Sequence, residues 1–132
     1  MADTVWIADP DREVRESLAT LLRTTGVEVE TFGTGEAVLR RLRDGRPECL
    51  VLDIELADMS GLEVLLRIRA RHLDVPVIVL ASYADVSLAV CALHLGAMDF
   101  LEKPIVGRVL LARVQEGLGH AQARFPVRVH AS

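Results

Sequence analysis

Four places in this chain set charged or polar side chains directly after a short apolar run. Asp9-Pro10-Asp11 follows Val5-Trp6-Ile7-Ala8, and Asp53 closes Cys49-Leu50-Val51-Leu52. Ala81-Ser82 follows Pro76-Val77-Ile78-Val79-Leu80, and Lys103-Pro104 follows Met98-Asp99-Phe100-Leu101. Apolar runs of this length read as buried strands. In an open α/β sheet, groups at the carboxyl ends of strands share one crevice. Asp53 would then have acid on one flank and an ammonium on another, which makes it a candidate functional carboxylate.

The intervening segments are those needed to carry these strands. Val14, Leu18, Leu21 and Leu22 recur at helical spacing up to Gly26, and Val27-Glu28-Val29-Glu30 alternates as an edge strand does. Thr34 is placed to cap a second helix that buries Ala37, Val38 and Leu42 and ends at Gly45-Arg46-Pro47. Ser60-Gly61-Leu62-Glu63 reads as a capping box opening a third helix through about Arg71. A fourth runs from about Asp85 to Leu95 and stops at Gly96, a left-handed cap. From Val106, the residues Leu110, Leu111, Val114 and Leu118 mark a fifth. Five strands alternating with five helices require one parallel sheet with helices on both faces, joined by right-handed crossovers.

Composition removes several classes of function. The 132 residues suit one compact domain, and with 51% hydrophobic residues they can bury a core. A net charge of −4 without a Lys/Arg block argues against nucleic-acid binding by this segment. No apolar run could span a bilayer and no basic-then-apolar leader is present, so the chain reads as a soluble, unprocessed, cytoplasmic protein. Cys49 and Cys91 have neither metal-ligand nor disulfide-framework spacing and read as reduced packing residues. His72, His94, His120 and His130 fall in separate helices or the tail and form no base or ligand pattern.

Taken in order, the Asp9 turn, Leu52-Asp53, Asp58-Met59-Ser60-Gly61-Leu62-Glu63, Gly96-Ala97-Met98-Asp99-Phe100 and Lys103-Pro104 resemble the receiver domains of two-component response regulators, closest to the FixJ-like ones. The resemblance covers almost the full length. It implies a flavodoxin-like sheet in the order 2-1-3-4-5 and a receiver domain over residues 1–122; residues 123–132 follow the last helical pattern without one of their own and read as a frayed tail or linker. It implies that Asp53 accepts a phosphoryl group from the phosphohistidine of a sensor histidine kinase, with Mg²⁺ and Lys103 neutralising the moving oxygens. A receiver of this kind takes part in its own phosphorylation without being an enzyme on an external substrate. Metal ligands implied are Asp9, Asp53 and the backbone carbonyl of Glu55, and a cis bond is implied before Pro104. Alone, Lys103 would read as a solvated charge beside a proline turn.

The sequence departs from the family pattern twice. The family places two adjacent acids after the first strand, and here the second is Pro10, so Mg²⁺ binding is expected to be weak. Asp11 either compensates or serves as an exposed cap of the first helix. After the fourth strand, the family's hydroxyl position is Ala81, and Ser82 faces the other way on an extended segment. The aromatic coupled to that hydroxyl is Phe100, which either swings between buried and exposed rotamers or packs as an ordinary core ring. These departures leave two functions open: a working receiver that regulates transcription through an output domain outside this chain, or an atypical receiver that binds Mg²⁺ weakly and signals by phosphorylation-independent contact.

The fourth helix carries Val86, Ala89, Val90 and Leu93 for the sheet, and Leu88, Cys91 and Leu95 on another side. Apolar residues on two faces predict a homodimer or output-domain contact through helix four, strand five and helix five; deeper packing of the same helix is the alternative. A nucleotide- or flavin-binding enzyme would need glycines after the first strand, where Asp9-Pro10-Asp11 would repel a phosphate. A hydrolase acting through Ser82 or Ser60 would need a nucleophile elbow that is not there.

Overall fold

The computed structural model describes residues 2–123, with side chains through residue 119. Strands β1 (Thr4–Ala8), β2 (Glu28–Phe32), β3 (Cys49–Asp53), β4 (Val77–Ala81) and β5 (Asp99–Glu102) alternate with helices α1 (Arg12–Arg23), α2 (Gly35–Arg41), α3 (Gly61–Ala70), α4 (Val86–His94) and α5 (Gly107–Ala123). The sheet is parallel throughout, in the order β2-β1-β3-β4-β5. The expected tail over 123–132 lies outside the described residues except for Ala123, the last residue of α5.

Side chains alternate across the strands and so divide the core in two. Trp6, Leu50, Leu52, Val77 and Val79 meet Val38 and Leu39 of α2, Val64, Leu65 and Ile68 of α3, and Ala89 and Ala92 of α4. Val5, Ile7, Val51, Ile78 and Leu80 meet Leu18 and Leu22 of α1 and Leu110, Val114 and Leu118 of α5. β3 is buried over its whole length, because strands cover both of its edges and helices both faces. Its third, fourth and fifth residues are Val51, Leu52 and Asp53, so an uninterrupted apolar strand ends on a carboxylate.

Several boundaries differ from those read in sequence, each for a local reason. α2 ends at Arg41 rather than Gly45, since the amides of Arg43 and Asp44 bond three residues back, to Arg40 and Arg41, and tighten the chain into turns. Only half of the capping box at Ser60 forms. Ser60 Oγ accepts from the Leu62 amide at 3.0 Å, whereas the Glu63 carboxylate turns forward to Arg67 at 2.9 Å. Gly96 has φ +97° just beyond α4, the left-handed geometry expected of it. On α4 only Ala89 and Ala92 are buried; Val90 and Leu93, assigned to the sheet from their spacing, are 42% and 37% exposed. The helix sits over the sheet on its alanines, and the longer side chains flank that contact. Cys49 is fully buried, and burial pushes its thiol up to about 12, in keeping with a reduced packing residue.

Candidate functional site

Asp53 reaches the end of β3 with its side chain only 7% exposed. One oxygen, Oδ1, accepts from the Glu55 amide at 2.8 Å, so the backbone just past the strand turns around the carboxylate. The β3–α3 loop folds tightly against this point. A Cβ added to Gly61 would lie 2.4 Å from the Asp53 carbonyl oxygen, and the Gly61 amide donates to the Ile54 carbonyl at 2.7 Å. Only glycine permits that approach.

Asp9 arrives from the end of β1 and is fully buried. Its Oδ1 accepts from the Asp11 amide at 2.9 Å, an Asx turn that aims the other oxygen inward. Lys103 comes from the far side: its amide donates to the Ala81 carbonyl at 2.8 Å, and the Lys103–Pro104 peptide bond is cis. The ammonium reaches Asp9 Oδ2 at 2.8 Å and Asp53 Oδ2 at 2.5 Å. One cation therefore bridges two buried acids from strands β1 and β3, at sequence separations of 94 and 50.

The electrostatics stem from that sharing. Burial raises the Asp53 pKa, and the bonds from Lys103 and from the Glu55 amide pull it back only in part, while Asp9 adds to the rise. For Lys103, burial disfavours the ammonium, but its bonds to Asp53 and Asp9 outweigh this and hold its pKa above the ordinary value. Two carboxylates against one ammonium leave the pocket with a negative charge.

The other residues singled out by the sequence occupy varied settings. Asp11 is exposed, and its Oδ1 accepts from the amides of Glu13 and Val14 at 2.9 and 3.3 Å, so it caps α1; the compensating-ligand alternative is not the one this geometry takes. Ala81 is fully buried and brings no hydroxyl. Ser82 Oγ is committed to Asp85 Oδ2 at 2.9 Å, closing the single turn Tyr83–Asp85 before α4. Phe100 is half-buried against the α2–α3–α4 side of the core. Leu88 and Cys91 are exposed on α4, but Leu95 packs partly against the core and does not belong to the same exposed face. His72 ends α3 in the left-handed conformation, φ 57°. Trp6, near the acidic turn in sequence, is buried beside Phe32 at 5.1 Å and under the Arg41 guanidinium at 5.5 Å, so it reports on α2 rather than on the pocket.

The positioning roles of two residues were not found from sequence, although Asp58 stands in a segment that carries the resemblance. Asp58, in the β3–α3 loop, accepts from the amides of Gly35 and Glu36 at 2.8 and 3.0 Å and so ties that loop to the first turn of α2; these bonds hold its carboxyl below the usual range. Arg15 of α1 donates to the carbonyls of Asp9 and Pro10 at 3.1 and 3.3 Å and fastens the acidic turn. The one available signal was that the first amides of α2 need acceptors beyond the Thr34 cap, and nothing in the sequence says which loop supplies them.

A buried acid at the central strand's end, a second acid on the adjacent strand and a lysine spanning both, on a doubly wound parallel sheet, are the arrangement of a receiver-type signalling domain. Residues 5–115 match the family model of the response regulator receiver domain, and the chain belongs to that family. It is 40% identical over 117 residues to the transcriptional regulatory protein FixJ of Azorhizobium caulinodans, covering 89% of this chain and 56% of that protein. Among solved structures, one described as FixJ-N superposes with a TM-score of 0.83 at 36% identity, covering 91% of this chain and 96% of that one. A CheY-like receiver domain protein of Methanospirillum hungatei superposes with a TM-score of 0.88 at 26% identity, covering 95% and 100%. The chain spans about half the length of the curated relatives it matches.

Receiver domains bind Mg²⁺ at the acidic pocket and interact with sensor histidine kinases. Asp9 and Asp53 are hard oxygen donors of the kind Mg²⁺ takes, and the Glu55 carbonyl belongs to the same loop. Pro10 offers no side-chain oxygen, and Asp11 is engaged at α1. Among the described residues no three His, Cys, Asp or Glu side chains converge as a metal site. The residues therefore fit Mg²⁺ with two carboxylates. No described helix is long and apolar enough to cross a membrane.

Proposed function

We propose that this domain receives a phosphoryl group on Asp53 from a sensor kinase phosphohistidine and passes the change to an output element outside this chain. The observation that carries the reading is the Lys103 ammonium held between Asp53 and Asp9. As the donor's N–P bond breaks, an Asp53 oxygen forms the new O–P bond, and the departing imidazole keeps the electron pair of the broken bond. Lys103 is held where it can neutralise the oxygens of the incoming group. Asp9 and the Glu55 carbonyl complete a ligand set for Mg²⁺, which supplies further charge neutralisation when bound. With Pro10 in place of an acid, that binding is weak. The domain acts as an acceptor in its own phosphorylation, not as an enzyme turning over an external substrate, and it works in the cytoplasm.

Ala81 and the Ser82–Asp85 bond favour a second reading, an atypical receiver in which the hydroxyl-driven step is missing and protein contact carries the signal. The exposed apolar side chains of α4, Leu88, Val90 and Leu93, support a homodimer or output contact through α4, β5 and α5. Incubation with a small phosphodonor and Mg²⁺, followed by intact-mass and peptide mapping, separates the two. One added phosphoryl group on Asp53, lost in Asp53→Asn, supports the acceptor; no labelling at any Mg²⁺ concentration supports the atypical form.

A further inference from the structure

The α2 and α3 helices enclose a groove of about 250 Å³ that plays no part in the acceptor pocket. Arg40 and Arg43 face it from the α2 side, and Arg67 and Arg71 from the α3 side. Leu39, 5% exposed, and Met59 line it between the cations. This is a concentration of positive charge on a chain whose net charge is −4.

Four guanidinium groups meet the carboxylates of Glu36, Glu63 and Asp58, so the groove keeps a surplus of one positive charge. Glu36 pairs with Arg40 at 3.4 Å and Glu63 with Arg67 at 2.9 Å, both as solvent-exposed i,i+4 pairs. Asp58 also borders the groove, but both of its oxygens accept from α2 amides. Arg71 gives one N–H to the Leu39 carbonyl at 3.3 Å, and Arg43 makes no ion pair among the described residues. A guanidinium carries five donors in a flat fork, so each of the four retains donors for an oxyanion. Cations near helix carboxyl ends complement the helix dipole, but that effect does not require a hollow between them.

We propose that this groove docks an acidic helix of a partner protein. Arg40 and Arg43 are three residues apart, with Arg43 in the tight turn just beyond α2, and Arg67 and Arg71 are four apart at the end of α3, so each pair spans about one turn, roughly 5 to 6 Å. Carboxylates one turn apart on a docked helix match that spacing, and the apolar side chains between them cover Leu39 and Met59. Nucleic acid fits less well: a duplex needs a run of cations along its backbone, whereas this groove is short and the molecule as a whole is acidic. The site is independent of whether Asp53 accepts a phosphoryl group.

The test uses the full chain and a synthetic helical peptide with glutamates at i,i+4 and leucines between, titrated by calorimetry with amide NMR mapping. A lysine-for-glutamate peptide and a short DNA duplex serve as comparisons. The glutamate peptide is expected to bind with shifts confined to α2, α3 and the β3–α3 loop, and to weaken several-fold when salt rises from about 0.05 to 0.2 M. Arg43→Glu with Arg71→Glu should weaken it at least about tenfold, and Arg12→Glu with Arg108→Glu should leave it within about twofold. Should the first double variant misfold, Arg43→Glu alone keeps the test open, since that side chain is exposed and makes no ion pair among the described residues. Asp53→Asn should bind as the wild type does. No binding of the glutamate peptide, equal losses in both double variants, or preferential binding of the duplex would overturn the proposal.

Discussion

Replacing the acceptor carboxylate by its neutral isostere, Asp53→Asn, is expected to make the domain more stable. At an effective dielectric constant of about 20, the Lys103 contact at 2.5 Å gives up about 7 kcal/mol on substitution. Against that, the two Oδ2 atoms bound to one ammonium lie within about 5 Å of each other, so removing their repulsion returns about 3 kcal/mol. The desolvation cost of a nearly buried carboxylate, several kcal/mol, disappears as well. Lys103 keeps Asp9 at 2.8 Å, and the asparagine oxygen can still accept from the Glu55 amide. The balance is a gain of about 1 kcal/mol, or about 3 to 5 °C in Tm for a domain of this size. The pH dependence has a definite sign. Because the folded-state pKa of Asp53 is raised, the folded wild type binds the extra proton between the unfolded and folded values, so this group's effect on stability worsens as pH rises through that window. Thermal melts of both proteins from about pH 7 toward about pH 4.5 should show the gap closing with acid. A variant that melts below the wild type, or a gap that widens on acidification, would refute this account of the pocket.

Four other outcomes can be checked alongside it. Gly61→Ala places a methyl 2.4 Å from the Asp53 carbonyl and should cost about 1 to 3 kcal/mol in urea unfolding. Asp58→Ala removes two bonds from the first turn of α2 and should cost about 0.5 to 2 kcal/mol; since the Asp58 pKa is lowered in the fold, the difference should be full near neutral pH and vanish as pH falls through that lowered value. Pro10→Asp adds a third acid beside Asp9 and should tighten Mg²⁺ binding at least about tenfold by calorimetry. Leu88→Glu alters a side chain that is 41% exposed, so it should abolish any self-association in sedimentation while leaving the melting temperature within a few degrees.

The sheet was legible because each strand is a short apolar run and each turn carries a distinct signal. Gly96 at its positive φ and Thr34 accepting from Ala37 stand where their residue types placed them. The convergence of Asp9, Asp53 and Lys103 could be anticipated for the same reason, since parallel strands deliver their ends to one rim. α4 was less legible. Helical spacing cannot say how closely a helix approaches its sheet, and two buried alanines narrowed the contact that Val90 and Leu93 were assigned to. Trp6 shows a related limit. It stands close before Asp9 in the chain, yet the alternation of side chains along β1 sends its ring under α2, with Phe32 and Arg41. Asp58 and Arg15 act on backbone groups of other turns, and such partners carry no residue-type signature in a single sequence.

The single ammonium between two acids also constrains how the pocket can respond once it is modified. Lys103 cannot turn wholly toward a newcomer on one acid without abandoning the other, and Asp9 is sealed from water. An arriving anion that captured the lysine would strand a charge inside the protein, a state unfavourable enough to demand rearrangement. The strain would be felt first where the lysine is rooted, at the amide it gives to Ala81 on the rim of the neighbouring strand. A wire of that kind needs no hydroxyl at position 81 to carry news out of the pocket.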